Sequence, residues 1–419
     1  MSERALRLLS NLPRPNERRI ALRVTPGAER MLRDGHPWLF DGSITKQSHE
    51  GEPGDLGVVF DRKGRFLAIG LYDPASPLRV RILHAGEPRA IDSLFWQQRI
   101  ESALARRAPL AARATGTTHP TDGYRLIHGE NDGLPGLVAD RYGETLVVKL
   151  YTLAWLPHLN DVLTALLAQQ PATRLVLRLN RAMQRRLAQL YGLADGQILF
   201  GPPLEGPVLF QENGICFEAD PVRGQKTGFF LDQRENRERV ERLAQGRDVL
   251  NVFAYNGGFS LYAARGGARS VTSLDISAPA LAACERNFTL NPRLANIRHR
   301  TVAEDAFSAL ASMAQDGVQF DLVILDPPAF AKRQAEVEGA LAAYQRLTQL
   351  GLGVLKPGGI LVSASCSSRV SADQFFAAVS AGARRIGRPL LELERSGQPL
   401  DHPATFPEGA YLKCLFAQG

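Results

Sequence analysis

The sequence predicts an α/β fold: a mostly parallel sheet in the C-terminal half, preceded by a small β-barrel or sandwich and a central α+β unit. Three observations predict it. From about residue 247, short apolar runs alternate with helical periods. That is the pattern of repeated βα units, which build a parallel sheet with helices on both faces. Residues 20–88 instead carry short apolar runs punctuated by Gly, Pro and Asp, the spacing of a small all-β unit. Residues 124–200 mix the two patterns. With 419 residues the chain is long enough for two to three domains, each burying its own core.

Taken in order, Met1 to Arg19 is rich in arginine and lacks the apolar core of a signal peptide. Residues 1–18 read as a basic leader, disordered in part, with a transit peptide as the alternative. Strands are expected at Ile20–Val24, Gly57–Phe60, Phe66–Leu71 and Leu78–Leu83. Over 91–113, Ile91, Leu94, Phe95, Ile100, Leu104 and Leu110 recur on a helical period. Tyr124–His128, Gly136–Asp140, Thr145–Tyr151 and Arg174–Leu179 read as strands, and Leu156–Leu167 as a helix. The expected domains are 19–90, 91–200 and 201–419.

In the last domain, strands are expected at Asp248–Phe253, Val271–Leu274, Ile297–Val302, Phe320–Leu325 and Gly359–Ala364. The helices between them are Ser260–Arg265, Ala278–Leu290, Phe307–Ala314 and Glu336–Leu355. No internal repeat and no low-complexity tract interrupts them.

Composition narrows the function classes. The net charge is +7, and only seven of the fifty basic residues are lysine. A basic balance suits an anionic partner such as RNA, although an arginine bias alone gives the same number. The four cysteines, Cys216, Cys284, Cys366 and Cys414, lie far apart and form no Cys-x-x-Cys pair. That speaks against structural zinc and a disulfide framework, and for a reducing compartment, here the cytoplasm. No apolar run reaches about 18 residues, so no membrane span is expected.

The chemistry is concentrated at strand tips, where open α/β sheets bind their ligands. The first strand runs into Ala254-Tyr255-Asn256-Gly257-Gly258-Phe259-Ser260, whose glycines admit close backbone approach. It is neither a Gly-x-Gly-x-x-Gly nor a Walker loop, so a phosphate cradle is poorly supported. Asp275 ends the second strand, where a carboxylate can accept from both hydroxyls of a ribose. Asp305 follows the third and can accept from the exocyclic amine of an adenine. Each is also placed to cap the next helix, which is the plainer reading. The fourth strand ends at Asp326-Pro327-Pro328, and the fifth at Ser365-Cys366. A carboxylate and a thiol on facing tips suit chemistry on a pyrimidine base. A buried packing thiol is the alternative for Cys366, and the better reading of the other three cysteines.

The four tips together, Gly-rich, Asp, Asp and Asp-Pro-Pro, resemble the class I S-adenosylmethionine-dependent methyltransferases, which have a Rossmann-like fold. Over residues 20–418 the chain resembles one group of them, the large-subunit rRNA cytosine-C5 methyltransferases of the RlmI type. His36-Pro37-Trp38-Leu39-Phe40, with Gly70-Leu71-Tyr72-Asp73-Pro74 and Val80-Arg81, resembles that family's N-terminal PUA domain, an RNA-binding barrel. The run from Tyr124 to Leu137 resembles its central domain. Gln225-Lys226-Thr227-Gly228-Phe229-Phe230-Leu231-Asp232-Gln233-Arg234 resembles the segment that closes over the methionine end of the cofactor.

The resemblance implies a fold, a cofactor and a substrate. S-Adenosylmethionine would be held by Lys226, Thr227, Gly228, Phe229, Asp232 and Arg234. Asn251, Phe253, Ala254, Tyr255, Asn256, Gly257 and Gly258 would contribute from the first strand and loop. Asp275, Ile276, Ser277, Asp305, Ala306, Asp326 and Pro327 would complete the set. No metal is implied, and the partner is large-subunit ribosomal RNA, with the protein a monomer or homodimer. Two departures stand out: Asn251 replaces an aspartate common in relatives, and Ala329 replaces the second cysteine of many RNA cytosine-C5 enzymes. Cys366 would then be the nucleophile and Asp326 the group that holds the base near N3. Phe330 would stack on it or serve the core. Arg369 would meet a phosphate or remain solvated. A related guanine-N7 family shares the Thr-Gly-Phe-Leu-Asp-like segment and Asp-Pro-Pro and needs no cysteine; it is the alternative.

Overall fold

The structure, a computed structural model, describes residues 9–113, 119–186 and 189–419. It parts into two compact units. The first comprises Met1–Gly214, Ala219–Leu231 and Leu400–Phe406; the second comprises Ile215–Glu218, Asp232–Pro399 and Pro407–Gly419.

The first unit holds two sheets. A six-stranded sheet runs in the order Trp38–Phe40, Leu78–Ala85, Phe66–Tyr72, Leu56–Phe60, Ile20–Val24, Ile44–Gln47. Its two edge strands are consecutive in the chain, joined by the single turn Asp41–Ser43. The sheet must therefore curl back on itself, as in a small barrel. Ile20, Leu22, Val59, Ala68 and Val80 fill it. The second sheet runs Gln197–Phe200, Arg174–Leu179, Thr145–Leu150, Leu137–Tyr142, Gly123–His128. Thr145–Leu150 and Arg174–Leu179 are parallel and joined through the helix Leu159–Gln169.

Four details of this unit differ from expectation. Residues 1–8 of the basic leader lie outside the described residues, but residues 9–18 are ordered. Leu9 and Leu12 are buried in the core, and Asn16 donates from its backbone and side chain to Asp55. Apolar burial of about 1.5–3 kcal/mol per leucine outweighs the leader's polar composition. A helix, Pro26–Arg33, interrupts the β region; Thr25 caps it and Pro26 opens it, a signal present in the sequence. The helix expected over 91–113 breaks after Ser93–Arg106, because Pro109 in the short segment Ala108–Ala111 has no N–H to give. Similarly, Pro157 confines Leu153–His158 to a 3₁₀ turn, so the α-helix starts at Leu159 rather than Leu156.

The second unit is a seven-stranded sheet with helices on both faces. In order it runs Arg298–Ala303, Ser270–Asp275, Asp248–Val252, Phe320–Leu325, Leu355–Ser365, Lys413–Gln418, Leu391–Ser396. Adjacent pairs among the first five are parallel; the last two strands pair antiparallel. Numbered in chain order within the sheet, this is 3-2-1-4-5-7-6, the Rossmann-like arrangement with its switch point between the first and fourth strands. The fifth strand starts earlier than the apolar run does. It passes through Pro357 at a point where the pairing register with Phe320–Leu325 shifts, the kind of position where a strand tolerates proline. One core layer gathers Leu250, Val252, Leu310, Val323 and Leu325; another gathers Val337, Tyr344, Phe375, Val379 and Leu415. No helix among the described residues is long and apolar enough to cross a membrane.

Candidate active site

The loop after Asp248–Val252 is held in an uncommon backbone shape. Phe253 and Tyr255 have φ of 62° and 49°, a left-handed conformation that costs a non-glycine residue about 1–3 kcal/mol. Gly257, at φ 85°, caps the helix Gly258–Arg265, and a Cβ there would sit 2.3 Å from Cys284 Sγ. The rest of the unit enforces the shape. Ala254 N donates to Leu274 O at 3.0 Å, and Asn287 Nδ2 donates to Asn256 O at 2.8 Å.

Asp275 locks the same loop. Its Oδ2 accepts from Tyr255 N at 2.8 Å and its Oδ1 from Ser277 N at 2.9 Å, while Ser277 caps the next helix. Both oxygens keep a second lone pair, so the carboxylate is aimed and still able to accept. Next to it Ile276 is 75% exposed, an apolar side chain presented at a strand tip. Asp305 does what the plainer reading expected: Oδ1 accepts from Ser308 N at 3.0 Å and caps the helix that begins at Ala306.

Asn251 stands apart from these tips. It is 1% exposed and donates from Nδ2 to Ser260 Oγ at 2.9 Å. Ser260 continues to Ser273 Oγ at 2.7 Å, and Ser273 to His299 Nε2 at 2.9 Å. The side chain thus joins a buried polar line between the sheet and the helix Gly258–Arg265.

Asp326 and Cys366 follow the ends of neighbouring parallel strands, in a ladder that pairs Leu325 with Ser363. Asp326 Oδ1 accepts from Gln233 Nε2 at 2.9 Å; Gln233 Oε1 accepts from Asn236 Nδ2 at 2.6 Å, and Asn236 Oδ1 accepts from Ser396 Oγ. Around Cys366, Tyr344 and Ser365 share a hydroxyl bond of 2.7 Å, and Ser367 Oγ donates to Ala331 O at 3.0 Å. Burial pushes the Tyr344 phenol up to about 12, against the Ser365 bond, and the charges of Cys366 and Asp326 add to the rise. Asp326 and Cys366 thus lie beyond the ends of adjacent strands. Pro327 is buried beside Asp326.

Several residues of this end carry no motif. Asn236 and Ser396 are an ordinary amide and a hydroxyl, bonded to each other across 160 positions. Lys413 is one of seven lysines and the only one in the last domain's final strand; its alternation partner pattern marks a strand, not a role. Phe330 packs against Tyr344, ring centroids 4.9 Å apart, and serves the core. Arg369 is exposed.

In this unit Asp232 Oδ2 accepts from Tyr411 OH at 2.7 Å, and Arg234 opens a helix with its side chain buried. Lys226, Thr227, Gly228 and Phe229 belong to the first unit. There Thr227 Oγ1 donates to Asp140 Oδ2 and shares a 2.9 Å bond with Tyr142 OH; Phe229 packs on Phe210. Lys226 has φ 53° and holds its ammonium 4.4 Å from the Phe230 ring centroid. His128 ends a strand, as expected, and burial with the Arg125 charge holds it neutral, its pKa well below the usual value. Cys284 and Cys414 are buried; burial pushes the Cys284 thiol up to about 12 and the Cys414 thiol well above its ordinary value.

Comparison with known proteins agrees with this fold. Residues 125–417 match the family model of the S-adenosylmethionine-dependent methyltransferases, and residues 22–85 match a PUA-like domain. The chain is 54% identical to the ribosomal RNA large subunit methyltransferase of Deinococcus radiodurans, over 97% of this chain and 99% of that one. It is 36% identical to the ribosomal RNA large subunit methyltransferase I of Pseudoalteromonas translucida, over 95% and 99% of the two chains. In fold it is similar to SMU.776 solved in complex with SAH, with a TM-score of 0.81 at 22% identity over 95% of this chain and all of that one. An aimed carboxylate at Asp275 and an apolar face at Ile276 suit the nucleoside end of S-adenosylmethionine. The chain belongs to the S-adenosylmethionine-dependent methyltransferases, within the ribosomal RNA large subunit methyltransferase family.

Proposed function

We propose that the protein methylates C5 of a cytosine in large-subunit ribosomal RNA through a covalent adduct with Cys366. The observation that carries the reading is that Asp326 and Cys366 follow the ends of neighbouring parallel strands. The ribosomal substrate rests on the relatives named above. The basic charge and the PUA-like match to residues 22–85 support an RNA partner.

C5 of cytosine is a poor nucleophile. The Cys366 thiolate adds to C6, and its electron pair becomes the new S–C bond while ring electrons move toward C5. Asp326, fixed by Gln233, holds the base edge near N3 as charge builds there. Bound S-adenosylmethionine supplies a sulfonium methyl, the electrophile that the activated C5 takes up. A water held by Asp326 then takes the C5 proton, which restores the ring double bond and expels the thiolate. Asp275, Ile276, Ser277, Asp305 and Ala306 would hold the adenosine end, and the 253–258 loop would approach it by its backbone. Within the second unit, Asp232 and Arg234 would serve the methionine end. The target must leave its stack for attack above the ring.

The test is incubation with labelled cofactor and unmodified ribosomal RNA, followed by nucleoside mass spectrometry. The expected product is 5-methylcytidine, with Cys366→Ala lowering turnover by more than about a thousandfold. A 7-methylguanosine product, or full activity in that variant, overturns the reading.

A further inference from the structure

The last strand of the second unit carries a buried cation to which the reaction above gives no role. Lys413 is 4% exposed and lies opposite Ser365, the residue before Cys366, in the antiparallel ladder. Its Nζ donates to the carbonyl of Ser367, the residue after Cys366, and to Tyr411 O at 3.0 Å. The side chain thus reaches across the backbone on both sides of the cysteine. Two of its three N–H bonds go to neutral carbonyls, which leave the charge unbalanced. A buried ammonium without a counter-charge is costly. Burial lowers its pKa to about 8, and the opposing influence is the charge of Cys366. The other titratable groups of this end are Asp326, Tyr344, Cys414 and, through Tyr411, Asp232.

We propose, on the reading of Cys366 as nucleophile, that Lys413 is a positioning residue for it: the ammonium fixes the Ser365–Ser367 segment and is the counter-charge against which the thiolate forms. In proton terms, Lys413 stays an ammonium throughout: the Sγ–H proton leaves to solvent water, and the ammonium balances the thiolate that remains. When the thiolate adds to C6, its negative charge passes into the ring. Lys413 keeps its proton and meets the thiolate again when it is expelled.

The test is alkylation of the full-length protein by iodoacetamide across a pH series, followed on the Cys366 peptide by mass spectrometry. Wild type, Lys413→Met and Lys413→Arg are compared, with folding checked by circular dichroism. The expected midpoint for wild type lies below the free-thiol value of about 8.5. Lys413→Met should raise it by about one unit, seen as roughly tenfold slower alkylation at neutral pH. Lys413→Arg, which keeps the charge, should retain a low midpoint even if turnover falls. Equal midpoints in folded wild type and Lys413→Met overturn the proposal. So does a wild-type midpoint at or above that of a free thiol, a result that needs no variant. The reading of Cys366 fails separately, if Cys366→Ala still methylates RNA.

Discussion

Two thiols of the second unit, Cys366 and Cys414, sit on neighbouring strands and have opposite surroundings. Cys414 pairs with Ala364 inside the ladder and is fully buried, and burial pushes its thiol well above the ordinary value. Cys366 lies just past the strand that ends at Ser365, half-buried, with Lys413 and Tyr344 around it. Two positions along one ladder separate a packing atom from a candidate nucleophile. The difference teaches that the strand end, rather than the residue type, makes the chemistry available. Inside the ladder a thiol is enclosed on every side, whereas past its end it is part-exposed and open to a substrate.

The largest effect that would break this contrast is in activity. Cys366→Ala should abolish turnover, while Cys414→Ala should leave it within about threefold and cost about 1–2 kcal/mol of stability from the lost packing. Methyl-transfer assays with thermal melts check both, and comparable losses in the two variants would erase the contrast. A smaller effect lies at the cofactor tips. Asp275→Ala removes the acceptor of Tyr255 N and Ser277 N, so the loop loses its lock. Calorimetry should show S-adenosylmethionine binding weakened by about ten- to a hundredfold. Affinity equal to wild type would assign the carboxylate a purely local role.

The smallest effect is in stability against pH. Burial pushes His299 down to about 4 from its ordinary 6.5. As pH falls, the unfolded chain takes up this proton first. The second unit therefore loses stability between pH 6.5 and about 4, and this group contributes no further loss below that. With part of the ring exposed, about 2 kcal/mol is expected. The readout is denaturant-dependent labelling of Cys284 and Cys414, because all three tryptophans, Trp38, Trp96 and Trp155, lie in the first unit. His299→Gln should flatten the response in that window.

Much of the fold was legible because it rests on local patterns. Arg174–Leu179 and Phe320–Leu325 were expected at their observed bounds, since uninterrupted apolar runs between turn signals leave little choice. The misses have physical causes. Pro26–Arg33 buries only Ala28 and Leu32, too little for a periodic stripe. The edge strand Leu391–Ser396 and its neighbour Lys413–Gln418 close the sheet from far along the chain. In the site, Asp275, Asp305, Asp326 and Cys366 were legible from their position after predicted strands. Asn236, Tyr344 and Lys413 were not, because what singles them out is a partner distant in sequence.

By itself the sequence determined the order of strands and helices and the residue type at each strand tip, since apolar periodicity and turn chemistry act over a few residues. Only the tertiary structure decided which tips are neighbours. It also tied Asn251 into a buried polar line with Ser260, and set Lys413 against the backbone around Cys366. The physical reason is that charge and hydrogen bonding act through space over a few ångströms, and the groups that tune Cys366 come from strands and helices far apart in the chain.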